Sequence, residues 1–472
     1  MSISTIPQSA PLVNNLLKLL EAHRSIFQQE RIYWRVVALV FGELFAFGRH
    51  TITQVLLALG MNREDWSAWH RVFSQRRFKE ERAAEVMLKE TLQHVPAEAV
   101  YVIGVDATQV PRSSQTMEGT SWLKCARTPP FRPGIHRAQR FVNGCWLTPV
   151  EQGYSRALPL RWLPAFTDKA VHRAHPACKE WEAGLIFVEW VRHQLDQQER
   201  TEQPVLVLGD ASYDTVGFWR GLPTGVIALM SSARHRCLYT LPDPSNGRGR
   251  RRKYGVRAPA PSAWLTERTG WQRATAPIRG QARRLAYRVA GPYLREGAPD
   301  TPLFLIVVRG ECWQRRHQPR RRRPRFYLVN ALQRAGQWVL PLPIETLLFW
   351  AWHRWELEVV HREVKSGLGL GEKQCWNPHA AVLSVQWNAW LYAVLLLAGY
   401  RTWGLCSGPP TPTVWWPGAR RWSLNTLWRG YRAALWGNPH FQPLWPASSP
   451  HWWKKETALS GLLNASHGSA RA

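Results

Sequence analysis

Two apolar runs of strand length, each ending on an aspartate, constrain this chain more than any other feature. AVYVIGVD (99–106) closes on Asp106 and VLVLGD (205–210) closes on Asp210; short runs of branched and aromatic residues bounded by polar ones read as buried strands. Between them lie two more strand candidates, FVNGCWLTPVE (141–151) and RALPLRWLP (156–164), and a helical pattern, KEWEAGLIFVEWVRHQL (179–195). A short helix around Thr215 to Arg220 and another apolar run, VIALMSS (226–232), follow. Three strands, a helix, a strand, a helix and a strand predict a mixed sheet flanked by helices, an α/β fold. Ligands of open α/β sheets gather at the edge where strands end, so the two aspartates are placed to share a site.

A third acid stands on a later helix. FWAWHRWELEVVHREVKSGLGL (349–370) has a helical pattern that sets Arg354, Glu358, His361 and Lys365 on one face, with Trp352, Trp355 and Val359 on an adjoining side. By itself such a face reads more readily as a solvated strip of ion pairs, each worth a few tenths of a kcal/mol. Asp106 and Asp210 change that reading, because a helix leaning over the same sheet edge brings three carboxylates together. Three carboxylates suit a pair of Mg²⁺ ions about 4 Å apart, with Mn²⁺ able to substitute, in a phosphoryl-transfer site. Arg354 and Lys365 are then expected to hold a DNA phosphate beside the metals. Asp214 follows a turn rather than a strand, so Asp210 is the preferred second acid. Glu356 and Glu363 project away from Glu358 and are excluded from its site. His361 is expected to be a satisfied surface residue.

Charge names the partner class. With 62 Lys and Arg against 33 Asp and Glu the formal charge is +29, and a folded chain so basic calls for a polyanion, most commonly the phosphate backbone of double-stranded DNA. Most of the 28 Trp residues are expected to be core anchors. The seven cysteines form no CxxC pair, which excludes a zinc ribbon and a disulfide framework and implies reduced thiols. No basic segment followed by a long apolar core opens the chain, so no secretory signal is expected. The span 382–400 is nearly long enough to cross a membrane but carries Ser384, Gln386 and Asn388, and it reads as a buried helix with no membrane partner.

The chain divides accordingly. Residues 1–97 form a helical domain expected to bind DNA, with two short helices around the turn at 60–65 and basic residues Arg71, Arg76, Arg77 and Lys79 behind them, compatible with a helix-turn-helix reader. Residues 98–232 form the first part of the catalytic domain. Residues 233–325 form a basic insertion with its own small sheet, in which GRGRRRKYG (247–255) and RRHQPRRRRPR (315–325) flank strands at 284–290 and 302–310; Arg320, Arg321, Arg322 and Arg323 there are expected phosphate contacts. Residues 326–405 complete the catalytic domain with the Glu358 helix. Residues 406–472 hold a Pro/Trp-rich loop, a helix near 424–436 and a tail expected to be disordered after Leu463.

GVDATQVP, LGDASYD and HRWELEVVHREVKSGLGLG resemble the three catalytic blocks of DDE transposases from bacterial insertion sequences, in the branch with a Tyr-x2-Arg-x3-Glu-x6-Lys signature. Arg354, Glu358 and Lys365 fall at those spacings. The Tyr position holds Ala351 instead, between Trp350 and Trp352. The resemblance covers roughly 98–400 and implies a ribonuclease H-like core interrupted by a β-rich insertion between the second Asp and the Glu. It implies catalysis by Asp106, Asp210 and Glu358 on bound metal: water cuts a transposon end, and the freed 3′-OH attacks the target strand. It also implies transposon-end and target DNA as partners, a homodimer on the DNA, and a bacterial cytoplasmic protein bound to the nucleoid. The competing readings are a non-catalytic, decayed or domesticated DNA-binding relative, and a nuclease that never joins strands.

Overall fold

The computed structural model describes residues 11–125, 134–243, 252–278, 280–310, 312–315, 318–409 and 421–436. Five helices come first: α1 (Pro11–Ala22), α2 (Glu30–Phe45), α3 (Ile52–Ala58), α4 (Ser67–Ser74) and α5 (Glu80–Leu92). α1 buries Leu12, Val13, Leu16, Leu17, Leu19 and Leu20, the apolar stripe of an amphipathic helix. Thr51 starts α3 by accepting the Gln54 N–H. α3 packs on α2, and α4 packs on α2 as well and more extensively on the long helix Pro378–Trp403.

The sheet begins with β1 (Tyr101–Pro111), β2 (Ser121–Lys124), β3 (Ile135–Leu147) and β4 (Ala157–Pro164), followed by α6 (Glu180–Gln197), β5 (Val205–Gly209), α7 (Val216–Arg220) and β6 (Val226–Ser231). β1, β5 and β6 are parallel neighbours, and β3 runs antiparallel on the other side of β1 with β2 and β4 beyond it. This is the mixed sheet of a ribonuclease H-like fold, as the sequence order predicts.

The expected insertion holds β7 (Leu238–Thr240), β8 (Gln272–Ile278), β9 (Gln281–Arg295), β10 (Ala298–Val308), β11 (Cys312–Arg315) and β12 (Gln318–Arg321), then come β13 (Arg325–Asn330), β14 (Leu332–Arg334) and β15 (Gln337–Val339). Its large strands do not make a separate sheet. β13 pairs with β6 on one side and with β10 on the other, so the core sheet runs on into an 11-stranded one ordered β2-β3-β1-β5-β6-β13-β10-β9-β7, with β4 on β3 and β8 on β9. The physical reason is the open edge of β6, whose unpaired backbone groups β13 satisfies. β11 and β12 form a small hairpin, and so do β14 and β15.

Among the described residues four more helices follow: α8 (Ile344–His353), α9 (Trp355–Gly367), α10 (Pro378–Trp403) and α11 (Leu424–Trp436). The single helix expected over 349–370 is broken at Arg354, which ends α8 and begins α9; there Leu357 N–H bonds back only three residues, to the Arg354 carbonyl. α10 is a core helix, 94% of its apolar window lying inside the protein. Its polar residues are used internally: Asn388 donates to the Leu368 carbonyl and accepts from Lys373 Nζ, and Gln386 donates to the Trp162 carbonyl. Since α10 also packs against α1, α4, α5 and β4, it joins the helical head to the sheet. A buried ion pair, Lys373 to Glu43 at 2.7 Å, fastens the same joint.

Candidate active site

Asp106 lies in the middle of β1 rather than at its end. β1 keeps β3 as a partner as far as Pro111, but its pairing with β5 stops at Gly104 and Leu208. Asp106 therefore sits where β1 has just lost one neighbour, and continuing the register sets it level with Asp210, the residue after β5. Over this point lies α9. It approaches closely because position 104 is glycine: a Cβ there would stand 2.8 Å from Leu357 Cδ1. Glu358 follows Leu357 and is thereby carried to the same edge.

The guanidinium of Arg354 stands between two of the acids, 3.5 Å from Asp106 Oδ2 and 2.9 Å from Glu358 Oε1. Expected on the DNA side, this side chain is turned onto the carboxylates in the DNA-free structure, since clustered acids draw in the nearest cation. Burial pushes the Asp106 carboxyl up to about 7; Arg354 opposes the shift, and the charges of Asp210, Glu358 and Glu180 add to it. Asp210 and Glu358 thus both act on Asp106. Asp210 Oδ1 accepts the Ser212 N–H at 2.8 Å, and the Ser212 hydroxyl sits between Asp210 and Glu180.

Glu180 is a fourth acid that the sequence did not single out. It opens α6, where acids are common, so its only signal is its place in the fold. His361 is not a surface residue. Its Nδ1 is 3.9 Å from Asp106 Oδ2 and its ring meets Trp162 edge-on, while Nε2 is buried with no hydrogen-bond partner among the described residues. Burial, with Lys365 and Arg354 nearby, pushes its pKa down to about 3, so the ring is neutral. Lys365 is thus close enough to His361 to be felt there.

The excluded acids are occupied elsewhere. Glu356 pairs with Arg421, and Glu363 with Arg156 and Tyr392. Asp214 is fully buried between Arg236 and Arg295, 2.6 and 3.3 Å away, and accepts from Trp219 and Ser232. Beside Arg354 and Glu358 opens a cleft of about 750 Å³ that Ala351, Trp352, Arg322 and Arg323 also line. Arg322 lies over the Trp352 ring at 4.1 Å. Of the two tryptophans flanking Ala351, Trp352 reaches this cleft, whereas Trp350 is buried. The side chains of Arg320 and Arg321, the segment 247–251 and the tail after Leu463 lie outside the described residues.

Among the described residues no three acidic, histidine or cysteine side chains stand close enough to grip one metal ion. The donor set nevertheless suits a hard divalent cation, being oxygen-only and short of positive charge. Arg354's guanidinium holds the position between Asp106 and Glu358 where such a cation would be drawn.

A family model described as DDE superfamily endonuclease matches residues 24–289, more than half of the chain. The matched span contains Asp106, Glu180 and Asp210 and ends within β9, before Glu358. No curated protein matches the chain.

Proposed function

We propose, from the premise that this chain belongs to the DDE superfamily endonuclease family, that it is a DNA transposase that cuts the ends of a mobile element and joins them to target DNA. The observation that carries this reading is the meeting of Asp106 and Glu358 on one guanidinium, with Asp210 level on the next strand. A basic protein gains nothing from crowding acids at one sheet edge unless they hold cations of their own. Nucleases of this family generally depend on divalent metals, and Asp106, Asp210 and Glu358 are the residues that would hold them. Bound there, the metals would activate an attacking oxygen and steady the leaving one.

The chain's own residues supply the rest. Arg354 neutralises the acids until they are loaded and is then free to meet a phosphate of the cut strand. Neutral His361 packs behind Asp106 and keeps water from that side. Arg322 and Arg323 line the cleft through which the strand would reach Glu358. The signature tyrosine is absent, and Trp352 offers the cleft an aromatic face in its place.

The test is cleavage of a labelled element end with Mg²⁺ or Mn²⁺, beside a gel shift on the same duplex. Glu358→Gln keeps size and hydrogen bonding and loses the charge, so cutting should collapse while binding survives. Full cutting by the variant removes Glu358 from the mechanism. Parent protein that binds ends and never cuts them favours the non-catalytic reading.

A further inference from the structure

The helical head carries a concentration of positive charge that its fold does not use. Arg31 and Arg35 lie one turn apart on α2, Arg71 lies on the outer face of α4, and Arg77 lies in the turn after it. Among the described residues no carboxylate stands within ion-pair distance of any of the four. Glutamine amides hold two of them, Arg31 on Gln29 at 2.8 Å and Arg77 on Gln75 at 2.7 Å. Nearby acids are committed elsewhere: Glu21 and Glu30 pair with Arg24, and Asp65 accepts the Ser67 N–H at the start of α4. Burial, and then the charges of Arg31, Arg77 and Arg71, hold the Arg35 guanidinium below its ordinary pKa. Asp65, fully exposed, feels the charge of Arg71, and the group still holds more positive than negative charge.

The concentration leads somewhere. Arg76 and Lys79 flank Arg77 in the chain and line a cleft of about 570 Å³ between the α4–α5 turn and β4, which Arg161 also borders with its ion-pair partners Glu80 and Glu81. The head is fixed to the sheet by α10, so a ligand held on it keeps one position relative to the acids.

We propose that Arg31, Arg35, Arg71 and Arg77 form a sequence-independent phosphate platform for duplex DNA, which Arg76 and Lys79 extend to the rim of the cleft beside β4. The inference rests on the reading of the chain as a DNA enzyme and gives the head a role other than base reading. Phosphate contacts fix register and orientation, and a rigid head then sets which phosphate reaches the acids.

The experiment measures affinity of the full chain for a duplex as salt is varied. Removing one cation from a phosphate lowers the slope of log affinity against log salt by about 0.9, so the fourfold variant R31Q/R35Q/R71Q/R77Q should flatten it by about 3.5. The effect should be the same on an element end and on unrelated duplex. The variant R31K/R35K/R71K/R77K keeps the charges and should keep the slope, which separates missing charge from a damaged fold. An unchanged slope in the glutamine variant, an effect confined to one sequence, or tighter binding of duplex RNA than of DNA overturns the platform. Parent protein that binds no duplex at all sinks the DNA reading itself, a result distinct from failure of the platform alone.

Discussion

Replacing Arg354 by Met should weaken the metal-free protein and strengthen its grip on a divalent cation, two effects of one cause. The guanidinium is 2.9 Å from Glu358 and 3.5 Å from Asp106. Unscreened at an effective dielectric near 20, each pair would be worth about 4 kcal/mol. The Glu358 side chain is 36% exposed, so solvent reduces that pair to about 1 kcal/mol or less. The Asp106 pair is better shielded and keeps about 1 to 2 kcal/mol by the same scale, giving a total of about 2 kcal/mol. A metal entering the parent protein must displace this cation, and removing the obstacle should tighten binding about 30-fold, since every 1.4 kcal/mol is tenfold. Without metal the variant should be less stable by about the same 2 kcal/mol at pH 8. The deficit should shrink as pH falls below about 7, where Asp106 takes a proton and no longer needs a partner. Mn²⁺ titration followed by its paramagnetic resonance signal, with urea unfolding in parallel, reads both quantities. A variant as stable as the parent without metal, or one that binds Mn²⁺ more weakly, refutes the idea that Arg354 stands in for a cation.

Gly104→Val should push α9 off β1, because its Cβ alone would meet Leu357 at 2.8 Å; a destabilisation of about 1 to 3 kcal/mol is expected in urea unfolding, with cutting reduced more than duplex binding. Asp214→Asn leaves the half-buried Arg236 and Arg295 without their charge partner, so it should cost about 1 to 3 kcal/mol in the same unfolding experiment while Mn²⁺ affinity stays at the parent value. Glu43 is held below its ordinary 4.5, burial pushing it up and Lys373 and His50 more than reversing that. Its contribution is therefore complete above about pH 4.5 and disappears as pH falls through the depressed value, so the thermal midpoint should drop on acidification below 4.5, and Lys373→Met should remove that part of the drop.

What the sequence made legible was local. The strands at β1, β3, β4, β5 and β6 contain short apolar runs whose burial is written in their composition, and their order restricts them to one kind of mixed sheet. The parallel pairing of β1 with β5 then sets Asp106 and Asp210 level, which spacing alone could suggest. The strands missed are those whose signal is weak: β2, β7, β11, β12, β14 and β15 are only three or four residues long, and β8, QRATAPI, is half polar. The continuation of the core sheet through β13 could not be read either, because an edge strand's need for a partner says nothing about which later strand supplies it.

The helix over the site shows the same limit at the scale of single residues. Nothing in AWHRWELE breaks a helix, neither Gly nor Pro, so the interruption at Arg354 comes from packing: α8 lies on β8 while α9 is drawn onto β1 and β4. An unbroken helix read as a wheel gives Arg354, Glu358, His361 and Lys365 one common outlook, and leaves His361 on the surface. In the structure Leu357 drops against Gly104, His361 turns in behind Asp106, and Arg354 folds back between Asp106 and Glu358. The signature spacing therefore places the residues around the edge, but which of them face the acids and which face the cleft follows from how closely α9 can approach β1. Because that approach depends on a missing side chain at position 104, the glycine belongs to the site as much as the charged residues do.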